Sequence, residues 1–221
     1  PTATAKHLDQ AVDAAREAFP AWAALDFADR AEHVKRYTAA VAKHRDELIK
    51  LLVCEQGKPI RQAAGEIDSC RKLANETVGI EVSVETLVDD DKRRIELRYR
   101  PLGVVGIITP WNAPAALALN ALALAVYTGN TTIIKPSPYT PLTTLKLGEI
   151  AQDIFPPGVV NVIAGGDELG RQISEHPGVQ KISFTGSVAT GKKVVASTAD
   201  TLKRFTLELG GNDPAIILDD A

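Results

Sequence analysis

The sequence predicts an α/β protein built on a doubly wound parallel sheet, with a helical layer contributed by its N-terminal part. Three observations carry this. From Val104 onward, short β-rich runs alternate with helix-like segments, the pattern of right-handed βαβ units whose sheet is covered on both faces. Charge is distributed to match: residues 1–100 hold 17 of the 25 Lys and Arg and 18 of the 28 Asp and Glu, leaving the remaining 121 residues lean enough to be mostly core. The first eighty residues read instead as a series of amphipathic helices.

In order along the chain, Leu8, Val12, Ala15 and Phe19 recur at helical spacing and predict a helix over Ala3–Phe19, stopped by Pro20. Further helices are expected over Asp26–Lys43, over Asp46–Glu55 (ended by Gly57 and Pro59), and from Ile60 through the seventies. Arg93–Arg100 alternates Ile95, Leu97 and Tyr99 with Arg94, Glu96 and Arg98, which reads as a half-exposed strand before the Pro101–Gly103 turn. The core strands are Val104–Ile108, Thr131–Lys135, Val159–Ile163, Lys181–Phe184 and Phe205–Glu208. Helices Ala115–Tyr127, Leu142–Ile154, Asp167–Ser174 and Val188–Ser197 lie between them. The expected division is a helical part over 1–92, a strand over 93–101 and the parallel-sheet core over 102–221.

Composition narrows the function classes. With 45% hydrophobic and 24% charged residues the chain is ordinary globular protein. A net charge of −3 argues against a partner that is nucleic acid or an anionic membrane surface. The longest weakly polar stretch, Pro114–Thr128, is too short to span a bilayer. Two cysteines, Cys54 and Cys70, make no disulfide framework and no zinc spacing. They are expected to be buried structural thiols in a reducing, cytoplasmic setting. The four His (His7, His33, His44, His176) show no ligand spacing and are expected at the surface, with no metal site. The chain has no Met, even at position 1, so its native N-terminus is expected outside the sequence given.

Open parallel sheets bind ligands at the carboxyl ends of their strands. Four segments fall there: Thr109–Asn112, Lys135–Pro138, Thr185–Ser187 and Glu208–Gly211. Taken singly, each is satisfied by a turn or a solvated strand end; four at one end of one sheet point to a site. Neither phosphate-binding signature is met in full. Gly186–Lys193 nearly matches the P-loop pattern but has Lys193 where a hydroxyl should hold Mg²⁺, and Gly165–Gly170 lacks the spacing of the dinucleotide fingerprint. Gly186 and Ser187 nevertheless open a helix, whose free amides suit a phosphate or diphosphate.

Taken together, Pro110-Trp111-Asn112, Lys135-Pro136-Ser137, the Phe155–Asn161 run, Phe184-Thr185-Gly186-Ser187 and Leu207-Glu208-Leu209-Gly210-Gly211 resemble the NAD(P)-dependent aldehyde dehydrogenases over Asp9–Asp220. The resemblance implies a Rossmann-like sheet and oxidation of an aldehyde to a carboxylate through a Cys thioester. It implies that Asn112 donates to the oxyanion and that Glu208 is the general base, desolvated by the lean sheet around it. It further implies an NAD or NADP site lined by Ile108, Thr109, Trp111, Lys135, Ser137, Pro138, Gly165, Phe184, Thr185, Gly186, Ser187, Leu209 and Gly210. The family's nucleophilic Cys lies some thirty residues past the Leu-Gly-Gly motif, so the chain is expected to be an internal piece, inactive alone, of a homodimeric or homotetrameric enzyme. Its strand at 93–101 is part of the oligomerisation element. Two other readings stand beside this one: a non-enzymatic nucleotide-binding module, and a nucleoside triphosphatase read from Gly186–Lys193.

Overall fold

A computed structural model describes residues 2–80 and 82–221. The chain begins with helices Ala5–Ala24 (α1), Phe27–Lys43 (α2), Arg45–Gln56 (α3) and Ile60–Thr77 (α4). An antiparallel hairpin of Glu85–Asp89 (β1) and Arg94–Leu97 (β2) follows. Then come Val104–Ile108 (β3), Pro114–Tyr127 (α5), Thr131–Lys135 (β4), Leu142–Gln152 (α6), Val160–Val162 (β5), Asp167–Glu175 (α7), Lys181–Gly186 (β6), Val188–Thr198 (α8) and Arg204–Leu209 (β7). The last five strands form one parallel sheet in the order β5-β4-β3-β6-β7.

Side chains alternate across this sheet as its pleat requires. Val105, Ile107 and Ile134 face a core shared with α5 and α6, and α2, α3 and α4 pack into that same core as an outer layer. Val104, Ile108, Ile133, Ile182 and Phe184 face the opposite way, against α7, α8 and α1. The N-terminal helices therefore straddle the sheet: Leu8, Val12 and Ala15 of α1 pack on one side, while Trp22 at its end joins α2–α4 in the core on the other. Gly106 explains how closely α7 approaches, because a Cβ there would stand 2.7 Å from Ile173 Cγ2 and 3.0 Å from Ile182 Cδ1. Gly57, at φ +81°, is the left-handed cap that ends α3. Ile134 is completely enclosed, so Ile134→Ala is expected to lower unfolding stability by about 2–5 kcal/mol in a urea titration.

Four expectations are corrected. Pro20 does not stop the first helix but lies inside α1. An interior proline costs about 3 kcal/mol. Burial of Trp22 two residues on outweighs that cost, since its indole N–H donates to Val126 O at 3.0 Å and its ring meets Phe155 edge-on. Residues 85–89, read as part of the helical region, form β1, whose turn is closed by Asp90 accepting from the amides of Lys92 and Arg93. Cys54 is exposed, whereas Cys70 is buried. His33 is not a surface residue: it stacks on Phe155 and its Nδ1 bonds to Ile154 O at 2.8 Å. Among the described residues no helix is long and apolar enough to cross a membrane.

Candidate cofactor and catalytic site

Parallel pairing brings the predicted segments to one end of the sheet. Ile108 is in register with Lys135 on one side and Phe184 on the other, Thr185 is level with Glu208, and Gly186 with Leu209. Past these rows the chain turns at Thr109, whose amide donates to Lys135 O at 3.1 Å, and at Gly210, whose amide donates to Gly186 O at 3.2 Å. Gly165 stands at the same end, after β5 and just ahead of Gly166, the N-cap of α7. Ile108, Thr109, Lys135, Ser137, Gly165 and Phe184 are buried; Trp111, Asn112, Pro138, Ser187, Glu208, Leu209 and Gly210 are exposed, and Thr185 and Gly186 are half-buried.

Lys135 is the unusual member. Its side chain is buried, and among the described residues its ammonium donates only to the carbonyl of the next residue, Pro136, at 3.0 Å. Burial pulls its pKa below the ordinary lysine value, with the charge of Asp167 opposing in part. A buried cation without an ion-pair partner costs stability, and its place at the carboxyl end of the sheet makes Lys135 a candidate for holding an anion or polyol. The sign follows: the unfolded state binds this proton more tightly, so stability rises as pH climbs through the folded pKa towards the unfolded one. Lys135→Met is expected to raise stability by about 1–2 kcal/mol and to flatten that rise, read by urea unfolding at several pH values.

Among the described residues, Thr109 Oγ1 is buried with no hydrogen-bond partner, and so is Thr140 Oγ1 at the end of the turn that Ser137 starts. Ser137 starts a tight turn in which Thr140 N donates to Ser137 O at 3.2 Å and Tyr139 N to Ser137 Oγ at 3.3 Å. Pro138 occupies the second position of this turn, which its fixed φ suits. Ser187 caps α8, accepting from Thr190 N at 3.2 Å. Its hydroxyl is therefore engaged, while the first amides of the helix face outward as an anion site. A buried cation, two orphaned hydroxyls and an open helix N-terminus fit a dinucleotide, which offers ribose hydroxyls and phosphates.

The aldehyde dehydrogenase family pattern matches residues 1–221. The chain belongs to the aldehyde dehydrogenase family. It is 43% identical over its whole length to the aldehyde dehydrogenase LUC3 of a Fusarium species, covering 46% of that protein. It is 39% identical over 98% of its length to a mitochondrial succinate-semialdehyde dehydrogenase of Arabidopsis thaliana, covering 42% of it. Among solved structures, an aldehyde dehydrogenase from Brucella melitensis superposes with a TM-score of 0.95 at 34% identity, over 100% of this chain and 47% of the other. A betaine aldehyde dehydrogenase from Staphylococcus aureus, solved with NAD⁺, superposes at 0.93 and 32% identity, over 100% and 46%. The chain thus spans about half the length of the aldehyde dehydrogenases it matches.

One predicted residue sits differently from expectation. Glu208 is exposed on edge strand β7, so the sheet itself does not desolvate it. Asn112 is also exposed; its backbone carbonyl accepts from Lys58 Nζ at 2.9 Å. Lys58 and Glu66, which join this loop to the helical layer, went unread in the sequence. The available signal was an acid on an apolar stripe, because Glu66 lies one turn from Ala63 and Cys70, both buried. Cys70 is no nucleophile: burial, with the charge of Glu66 adding to it, pushes its thiol up to about 12.

Proposed function

We propose that this chain is the cofactor-binding half of an enzyme that oxidises an aldehyde to a carboxylate with NAD or NADP, and that it contributes Asn112 and Glu208 to the chemistry. Residues 102–221 form the binding core, 1–92 brace it, and 93–101 belong to the oligomer contact. The observation that carries this reading is the buried Lys135, with no ion-pair partner among the described residues, at the carboxyl end of a parallel sheet, in one row with Ile108 and Phe184. Lys135 and Ser137 would hold the adenosine ribose, with Pro138 beside it. The α8 amides at Gly186 and Ser187 would hold the diphosphate. Ile108, Thr109, Trp111, Gly165, Phe184, Thr185, Leu209 and Gly210 would line the remainder. Bound there, the dinucleotide supplies the hydride acceptor. The Asn112 amide donates to the carbonyl oxygen as negative charge develops on it. Glu208 accepts a proton from the water that releases the acid product from a Cys thioester. That Cys is supplied from outside these 221 residues.

The exposed apolar side chains of the β1–β2 hairpin, Leu87 and Leu97, together with Tyr99, support a homodimer or homotetramer. The unpaired thiols support a reducing compartment, read here as the cytoplasm. Two tests apply. The 221-residue chain is expected to bind NAD or NADP yet give no aldehyde-dependent NAD(P)H; turnover that Cys54→Ser or Cys70→Ser abolishes would overturn the assignment of the nucleophile. The second concerns cofactor choice. NAD-specific family members carry Glu at the position of Pro138, where its carboxylate holds ribose hydroxyls and repels a 2′-phosphate. Proline does neither, so both cofactors are expected to bind. Pro138→Glu is expected to shift preference towards NAD by roughly tenfold, and the exposed turn position accommodates the change. Fluorescence titration with each cofactor reads the ratio; an unchanged ratio refutes the role of Pro138.

A further inference from the structure

Where the loop after β3 meets the helical layer, one ion pair holds the junction between the loop and α5. The side chain of Glu66, on α4, is 6% exposed and that of Lys58, between α3 and α4, is 13% exposed, so this is not a solvated surface contact. The two are hydrogen-bonded to each other. Each also has a second engagement. Lys58 Nζ donates to the backbone carbonyl of Asn112 at 2.9 Å, and Glu66 Oε1 accepts from the amides of Ala115 and Ala116 at 3.0 and 3.1 Å. The last residue but one of the turn and the first amides of α5 therefore hang on one largely buried pair.

Helix capping accounts for only half of this arrangement. Amides at a helix start need an acceptor, and a Ser or Asp at the N-cap is the local solution. Here the N-cap is Ala113, with no side-chain acceptor, and the carboxylate arrives from a residue 49 positions away. Lys58 does nothing for the cap; it grips the carbonyl of Asn112 itself.

We propose that Glu66 and Lys58 are positioning residues for Asn112, the buried pair fixing the backbone from which its side-chain amide projects. This rests on the reading of Asn112 as the oxyanion donor. Such a donor works because its place is set before charge develops, and a buried pair resists displacement because removing one member strands the other's charge.

Fluorescence provides a readout independent of catalysis. The chain has two Trp; Trp22 is 1% exposed and Trp111, the neighbour of Asn112, is 54% exposed, so acrylamide quenching reports on Trp111. In the 221-residue chain, Glu66→Gln and Lys58→Met are each expected to increase this quenching with far-UV circular dichroism unchanged. The double variant should match either single one, since the pair acts as a unit, and Lys58→Arg should restore the parent value. Glu55→Gln serves as the capping control, because Glu55 accepts from Leu142 N and Thr143 N at the start of α6; it should leave Trp111 quenching alone. In a protein of full family length, Lys58→Met should lower the rate of the first-turnover NAD(P)H burst by about 10–10²-fold with the KM for cofactor unchanged. Unchanged quenching in natively folded Lys58→Met, additive effects of the two substitutions, or a loss confined to cofactor KM would each overturn the proposal. Should the full-length parent oxidise no aldehyde, the functional reading fails, while the quenching series still decides whether the pair holds the loop.

Discussion

Glu208→Gln, introduced into a protein of full family length that carries this chain, is expected to cut steady-state turnover by about 10²–10⁴-fold while sparing the first-turnover burst of NAD(P)H. Glutamine keeps the length and hydrogen-bonding reach of glutamate but accepts no proton, so only a step needing a base suffers. If that step is hydrolysis of the thioester, hydride transfer has already occurred and one equivalent of reduced cofactor appears at an undiminished rate. Glu208 lies on the outer strand of the sheet, level with Thr185 and one residue from the Gly186–Leu209 pair. It is thus carried on the same rigid frame as Gly186 and Ser187, the proposed diphosphate contacts, a placement that suits a base acting beside a bound cofactor. Retention of a base also favours hydrolysis over transfer of the acyl group to a thiol, which needs no activated water. Equal loss of burst and turnover would move Glu208 ahead of hydride transfer, as activator of the nucleophile.

The parts of this arrangement that were legible in the sequence are those set by local pattern. Thr131–Lys135 and Val104–Ile108 announce themselves as short β-rich runs, whose one charge is the terminal Lys135, and parallel pairing then dictates that their carboxyl ends coincide. Once the strands were placed, Thr109, Lys135, Gly186 and Leu209 had to gather at one end of the sheet. What was not legible depends on partners distant in the chain. Pro20 looks like a helix stop because its own neighbours supply no reason to continue; that reason is Val126, 104 positions beyond Trp22. The hold of Lys58 on Asn112 spans 54 positions, and no periodicity encodes it. β1 was missed because its residues Glu85–Asp89 are mostly exposed, so hydrophobic alternation had little to mark. The exposure of Glu208 follows from β7 being an edge strand, a matter of strand order that composition does not reveal.

Asn112→Ala is expected to act at the opposite point of the reaction, suppressing the burst itself by about 10²–10³-fold, equivalent to about 2.7–4 kcal/mol of lost transition-state stabilisation. The side-chain amide is one carbon chain away from a backbone held by Lys58 and followed directly by α5, so its removal deletes a donor without loosening the loop. Attack on the carbonyl places negative charge on oxygen before any hydride moves, and the charge loses its partner at that moment. Cofactor affinity should be unaltered, because Asn112 is not among the residues proposed to line the dinucleotide. Stability should change little as well, since Asn112 is exposed and its side chain makes no hydrogen bond among the described residues. Rapid-mixing measurements of the burst, beside cofactor titration and urea unfolding of the same variant, separate these quantities. A normal burst with slow steady turnover would assign Asn112 to deacylation alone. A burst lost in proportion to cofactor affinity would make it a binding residue. Only a slow burst with intact affinity and stability identifies it as the group that receives the developing charge.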